Sequence, residues 1–130
     1  MDPRQPMINS KSIPAANVLL KRVYEPATGD DGARVLVDRL WPRGVSKDKA
    51  ALTRWCKEVA PSTTLRKWFG HEPARWSEFR QRYKSELKRN VTSVAALRQL
   101  AKQGRITLVY GARDKIHNEA VVLREFLLGR

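Results

Sequence analysis

The chain has 130 residues, of which 42% are hydrophobic and 30% charged, a composition typical of one folded domain and not of a disordered chain. It contains no run of about 18 apolar residues, so no membrane-spanning helix and no membrane partner are predicted. The 26 lysines and arginines exceed the 13 acidic residues, and the net charge of +13 favours anionic ligands without choosing among nucleic acid, phospholipid and phosphorylated metabolites.

The N-terminus differs in composition from the rest of the chain. Residues 1–16 contain three prolines and no apolar signal-peptide core, which predicts a flexible tail before a single domain over 17–130. The one cysteine, Cys56, cannot form an internal disulfide and is interpreted as a buried structural thiol. Together these features indicate a cytoplasmic protein.

Strands and helices alternate along the domain. Strands are predicted over 18–24 and 34–37, a short helix capped by Ser46 over 47–52, and a returning strand over 54–59. The remaining elements are predicted as a strand over 106–110 and helices over 62–70, 73–90, 92–104 and 116–128.

Cap residues and apolar spacing support the later helices. Ser62 is a good N-cap and Gly70 a typical stop for the first of them, and Thr92 or Ser93 is expected to cap the helix over 92–104. The longest helix, 73–90, has an apolar stripe at helical spacing that predicts core packing. That stripe consists of Trp76, Phe79, Tyr83 and Leu87.

This order of elements predicts an α/β fold. The strands over 34–37 and 106–110 are almost continuously apolar, as expected where helices cover both faces of a sheet. We therefore expect a compact, three-layer-like domain with a small, mostly parallel sheet of three or four strands flanked by helices.

Two of the predicted strands end in loops that pair an arginine with an aspartate. Asp38 and Arg39 follow the strand over 34–37, and Arg113 and Asp114 follow the strand over 106–110. Because ligands collect beyond the carboxyl ends of strands in α/β sheets, these loops could form one pocket for a small anion. In the alternative interpretation, Arg39 pairs with Asp114 and Arg113 with Asp38, and the two loops are simply joined.

The predicted pocket has further candidate residues. The last helix begins near His117 and Asn118, and its first backbone amides favour an anion. For proton transfer the candidates are Asp38, Asp114 and His117. For ligand binding they are Arg39, Trp41, Arg43, Ser62, Arg66, Tyr110, Arg113 and Asn118. The expected ligand is a phosphate ester or nucleotide-like molecule, and the reaction class stays open.

The sequence favours neither a metal nor a cofactor. Its two histidines, His71 and His117, lie far apart with no cysteine or acidic residue at ligand spacing, so no metal site is predicted. The chain also lacks a Gly-rich phosphate loop and a dinucleotide fingerprint.

The basic helix over 73–90 provides an alternative function. Arg75, Arg82 and Arg89 could lie along a nucleic-acid backbone, which would make the chain a nucleic-acid-associated accessory protein. The other interpretation of this face is an ordinary solvated helix surface, and the aromatic residues that could stack on bases are expected in the core. A third hypothesis is a partner-binding or structural protein without pocket chemistry; the oligomeric state is open.

Several motifs resemble a known family. The run Asp-Arg-Leu-Trp-Pro-Arg-Gly over 38–44 is the most specific of them, and it is accompanied by motifs over 21–26, 60–62, 65–71, 110–114 and 118–127. Over most of its length the chain resembles the YeaO-like branch of the DUF488 family (domain of unknown function 488). The resemblance implies a small bacterial or archaeal cytoplasmic α/β protein with no established activity.

The resemblance also bears on thiol chemistry. Other branches of the wider family carry a cysteine after the last strand and a Cys-His-Arg run where the following helix begins. The matching segments of this chain, 110–114 and the pair His117 and Asn118, contain no cysteine. Thiol chemistry is therefore not expected at this position.

Overall fold

Four parallel strands form one sheet in the order β1-β4-β2-β3. In the computed structural model, which describes residues 12–130, they are β1 (Val18–Arg22), β2 (Ala33–Leu36), β3 (Arg54–Trp55) and β4 (Ile106–Tyr110). The central strand β4 pairs with β1 on one side and with β2 on the other. All four carboxyl ends therefore meet at one edge of the sheet, and the predicted α/β fold is confirmed.

Helices connect and cover the strands. They are α1 (Lys47–Ala50), α2 (Thr63–Phe69), α3 (Trp76–Arg89), α4 (Val91–Gln103) and α5 (Glu119–Leu127). Short 3₁₀ turns are formed by Ala15–Asn17, Gly29–Asp31, Lys57–Val59 and Pro73–Arg75. None of the helices described over 12–130 combines the length and the apolar composition that crossing a bilayer requires.

Local side-chain chemistry sets where three of the helices begin. The side chains of Ser46, Ser62 and Asn118 accept hydrogen bonds from backbone amides in the first turns of α1, α2 and α5. At its other end, α2 stops at Gly70, which adopts a left-handed conformation with φ 52°. Ser46, Ser62 and Gly70 are the residues that the sequence predicts at these helix ends.

The sheet separates a large core from a small one. Val35 and Leu108 belong to the large core, which also contains the buried residues of the α3 stripe. Leu36 and Val109 point to the opposite face, where they pack with Val45 and Ala50 beneath α1 and the loop after β2. Both strands are thus buried on both faces, as their continuous apolar sequence predicts.

Several predicted boundaries are wrong. The helix expected over 47–52 ends at Ala50, and the helix expected over 73–90 begins at Trp76, because Pro73–Arg75 form a separate 3₁₀ turn. The strand expected over 54–59 ends at Trp55 and gives way to the turn Lys57–Val59. The strand expected over 18–24 ends at Arg22. The helix expected from Thr92 or Ser93 begins one or two residues earlier, after Asn90. The last helix begins at Glu119 and not at 116, because the Asp114 carboxylate accepts the amides of Ile116 and His117 in a separate turn.

The N-terminal segment is described in part. Residues 1–11 of the predicted tail lie outside the described residues. Beyond them, Ile13 packs against the large core, and Asn17 Nδ2 donates a hydrogen bond to the Ala101 carbonyl at 2.8 Å.

A buried ion pair lies at the amino edge of the sheet. Asp31 accepts hydrogen bonds from the Arg34 guanidinium at 2.7 Å and from the Lys21 ammonium at 3.0 Å. Burial opposes ionisation of this carboxyl group, but the Thr28 amide and the two cations hold its pKa well below its ordinary value. The Asp31 carbonyl also accepts the Thr107 hydroxyl from β4, so the pair fixes the entry into β2.

Candidate functional site

A pocket with a volume of about 280 Å³ lies at the carboxyl edge of the sheet. Residues that follow each of the four strands line it, together with side chains from α2, α3 and the start of α5. This is the position at which open α/β sheets bind ligands. The lining includes Tyr24, Asp38, Arg39, Trp41, Arg43, Pro61, Arg66, Phe69, His71, Phe79, Gly111, His117, Asn118 and Glu119.

Asp38 connects the loops after the two central strands. Its Oδ2 atom accepts the Gly111 amide at 2.9 Å, and its backbone carbonyl accepts Trp55 Nε1 at 2.7 Å. A Cβ atom at position 111 would lie 2.9 Å from the same carboxylate oxygen, closer than real Cβ atoms approach. Gly111 therefore allows the Asp38 carboxylate to lie against the backbone of the neighbouring loop.

Glu119 forms a carboxyl pair with Asp38. It is the first residue of α5, it is half-buried, and it lines the pocket beside Asp38, whose charge acts on its side chain. A neighbouring carboxyl group opposes the ionisation of a second one, as burial also does. Burial, and then the hydrogen bond and the charge of Asp38, raise the pKa of Glu119 well above its ordinary value.

Three arginines line the same pocket. Arg39 donates from Nε to the Pro61 carbonyl at 3.1 Å and from Nη2 to the Ala60 carbonyl at 3.2 Å, which positions its guanidinium group. Arg43, from the same loop, and Arg66, from α2, are exposed lining residues. The pocket thus combines guanidinium groups from two elements of the fold.

His117 reaches the pocket from the turn before α5. Its Nδ1 atom lies 2.8 Å from Asp114 Oδ2, and its ring meets the edge of Trp76 with centroids 5.2 Å apart. Hydrogen bonds from the His117 amide and side chain and from the Ile116 amide lower the pKa of Asp114 to about 2. Asp114 orients His117, while Asn118 caps α5 and also lines the pocket.

Four of the predicted site residues lie outside the pocket lining. Arg113 and Asp114 are exposed on the loop after β4. Ser62 caps α2 and donates its hydroxyl to Glu86 at 2.6 Å. Tyr110 is buried in β4, and this burial raises the pKa of its hydroxyl group.

The predicted cross-loop ion pairs are not formed. Over the described part of the chain, Asp38 does not pair with Arg113, nor does Asp114 pair with Arg39. Asp38 is engaged by Gly111 and Glu119 instead, and Asp114 by His117 and its own turn. The pocket therefore stays open between the two loops.

The sequence analysis missed several lining residues. In the sequence, Glu119 has the pattern of an ordinary acidic residue in the first turn of a helix, where a negative charge interacts favourably with the helix dipole. Phe79 is predicted in the core as part of the apolar stripe, yet it also borders the pocket, as does Phe69. One signal in the sequence points to Glu119: it follows Asn118, a candidate for the same pocket as Asp38.

The basic face of α3 is partly engaged within the chain. Arg75 donates to the Trp68 carbonyl at 2.7 Å, and Arg82 pairs with Glu78 and lies over the Trp68 ring at 4.4 Å from its centroid. Arg89 is exposed near the end of the helix. Over residues 12–130, no three His, Cys, Asp or Glu side chains come together as a metal site would require.

Comparison with known proteins assigns the family. The sequence profile of DUF488-N3i, described as "Inactive DUF488-N3 subclade", matches residues 17–130. The chain belongs to the DUF488 family. Uncharacterized protein YeaO from Escherichia coli is 45% identical over 111 residues, covering 85% of this chain and 96% of the relative. Uncharacterized protein Rv3073c from Mycobacterium tuberculosis is 45% identical over 113 residues, covering 87% and 95%.

The family assignment confirms the resemblance seen in the motifs. No solved structure matches the chain. The DUF488 relatives named above carry no described activity in their names, so the site has to be interpreted from its own chemistry.

Proposed function

We propose that this DUF488 protein binds a small anionic ligand, a phosphate ester or nucleotide-like molecule, in the pocket at the carboxyl edge of its sheet. The observation that carries the proposal is the convergence of Arg39, Arg43 and Arg66 on one cavity. Arginine suits this role because its planar guanidinium group gives two parallel hydrogen bonds to a phosphate or carboxylate. The cytoplasm is the proposed compartment, since the only cysteine is a free, buried thiol.

The orientation of Arg39 supports this proposal. Two of its five N–H donors are bound to the carbonyls of Ala60 and Pro61, which fixes the side chain before a ligand arrives. Over the described residues, the remaining donors have no carboxylate partner. A fixed arginine loses little side-chain freedom on binding, and that strengthens anion recognition.

Binding without turnover fits the family better than catalysis. The profile that matches this chain is described as an inactive subclade, and the described lining of the pocket contains no cysteine. The His117–Asp114 dyad and the Asp38–Glu119 pair are then recognition groups, which offer hydrogen bonds to a ligand. The proposed role is therefore that of a binding protein.

Titration calorimetry with inorganic phosphate and ribose 5-phosphate tests the proposal. We expect Arg39→Ala to weaken ribose 5-phosphate binding about tenfold or more, because a charge-assisted hydrogen bond contributes about 1.5–3 kcal/mol. Arg89→Ala is the matched control, since it removes the same charge from an exposed position on α3 outside the pocket. Equal losses in both variants, or no binding to the wild-type protein, would contradict the proposal.

A further inference from the structure

The carboxyl groups of Asp38 and Glu119 differ from two other shielded carboxylates, those of Asp31 and Glu125. Asp31 is paired with Lys21 and Arg34, and Glu125 is paired with Arg80 and Lys84. Among the described residues, neither Asp38 nor Glu119 forms an ion pair with a lysine or arginine. This holds although the chain carries twice as many basic as acidic residues.

The nearest arginine in sequence does not neutralise the pair. Arg39 follows Asp38 directly, but its guanidinium group is bound to the carbonyls of Ala60 and Pro61. Over the described residues, the backbone amide of Gly111 is the donor that reaches the Asp38 carboxylate. Carboxylate oxygens in a pocket wall are costly when too few donors reach them, so the pair favours a ligand that brings N–H donors.

The surroundings of the pair favour a flat partner. Phe69 and Phe79 are stacked with centroids 4.4 Å apart and both line the pocket, as do Trp41 and Pro61. Apolar and aromatic walls accept a planar ring, and carboxylate oxygens accept two parallel N–H groups from one edge of it. A single ammonium group has no planar ring to pack against these walls and no pair of parallel N–H groups on one edge.

We propose that the Asp38–Glu119 pair binds the N–H edge of a planar base, so that the ligand is a nucleotide-like phosphate ester with adjacent N–H donors. The phosphate lies against the arginines and the base against the carboxyl pair. This inference rests on the proposed anion pocket, and it adds the class of ligand. Guanosine monophosphate has the required chemistry, because its base offers two neighbouring N–H donors.

The experiment compares guanosine monophosphate with ribose 5-phosphate, which has the same phosphorylated sugar and no base. By calorimetry at pH 7, we expect the nucleotide to bind about tenfold or more tightly, a difference of about 1.4 kcal/mol. Inosine monophosphate, which lacks one of the two donors, should bind the wild-type protein several-fold more weakly than guanosine monophosphate. That comparison needs no substitution and does not depend on how a variant folds.

A double variant tests whether the preference for guanosine monophosphate depends on the Asp38–Glu119 pair. Either single amide substitution leaves one carboxyl group free to ionise, so Asp38→Asn is combined with Glu119→Gln. We expect this variant to lose the preference, so that guanosine monophosphate and ribose 5-phosphate bind it with similar affinity. Asp48→Asn combined with Glu58→Gln makes the same chemical change at exposed positions and should keep the preference.

The outcomes separate the two proposals. If ribose 5-phosphate and guanosine monophosphate bind equally well, the inference is overturned while the anion pocket stands. The same holds if the preference survives in the Asp38→Asn, Glu119→Gln variant. If neither ligand binds, the proposed function itself fails.

Discussion

Glu119 holds its proton more tightly in the folded chain than in the unfolded chain. Burial and the neighbouring Asp38 carboxyl group raise its pKa well above the ordinary value of 4.5. The stability that this group contributes is therefore complete below pH 4.5 and is lost as the pH rises through the folded-state pKa. As Glu119 ionises, the carboxyl pair therefore lowers the free energy of unfolding.

Glu119→Gln should consequently stabilise the protein at high pH. The amide keeps a donor toward Asp38 and cannot ionise, so we expect a higher free energy of unfolding than wild type at pH 8. The difference should shrink as the pH falls toward 4.5, where the wild-type side chain becomes protonated in the unfolded chain as well. Urea unfolding at pH 4.5, 6 and 8 measures it. Glu58→Gln, at an exposed position, is the control, and a difference for Glu119→Gln that stays constant with pH would contradict the expectation.

At the scale of elements, the sequence predicts best what is decided locally. The apolar runs of β2 and β4 and the caps Ser46, Ser62 and Asn118 are short-range signals, and the structure confirms them. The extent of β3 was overestimated, because a strand ends where its neighbour stops pairing with it. That neighbour is β2, which contributes only Val35 and Leu36 to the pairing.

The pocket depends on pairing between distant segments. β2 and β4 lie side by side, with the Val37 amide donating to the Val109 carbonyl at 3.0 Å, and this register brings Asp38 to Gly111. The sequence predicts correctly that the two loops are neighbours. It also predicts Arg113 in the pocket lining, and Arg113 does not lie there. Arg113 lies two residues beyond Gly111, on the exposed part of the loop. The turns of a loop decide which of its residues face a cavity, and residue types alone do not predict those turns.

The entry into β2 depends on a glycine. Gly32 has φ 65° and ψ −142°, a conformation that only glycine adopts readily, and a Cβ atom there would lie 2.1 Å from the Arg105 carbonyl oxygen. That oxygen accepts the Ala33 amide at 3.1 Å, the first hydrogen bond between the β4 side and β2. A side chain at position 32 would therefore separate the two central strands where they begin to pair.

We expect Gly32→Ala to lower the free energy of unfolding by about 2–5 kcal/mol, from backbone strain and overpacking together. Gly29→Ala is the matched control, because nothing lies within 4 Å of the added Cβ atom. Urea unfolding followed by circular dichroism compares the two variants. A loss in Gly32→Ala no larger than in the control would mean that the strands adjust to the added methyl group.

Over the whole molecule, the positive charge is spread and not concentrated on one helix. The net charge is +13, while two of the three arginines proposed for nucleic-acid contact, Arg75 and Arg82, already contact Trp68. A spread field attracts polyanions without selecting a sequence or a face. Duplex DNA is therefore a useful probe for separating general attraction from a dedicated interface on α3.

We expect only weak binding to duplex DNA, with a dissociation constant of about 10⁻⁴–10⁻⁶ M that rises steeply with salt. Charge reversal to glutamate at Arg75, Arg82 and Arg89 should weaken this binding no more than reversal at the exposed lysines Lys47, Lys49 and Lys102, since both changes remove the same charge from the field. Fluorescence anisotropy at 50 and 150 mM salt measures both variants against wild type. A loss confined to the α3 variant would favour a nucleic-acid interface on that helix. Equal losses would mean that the net charge attracts duplex DNA and that α3 carries no dedicated interface for it.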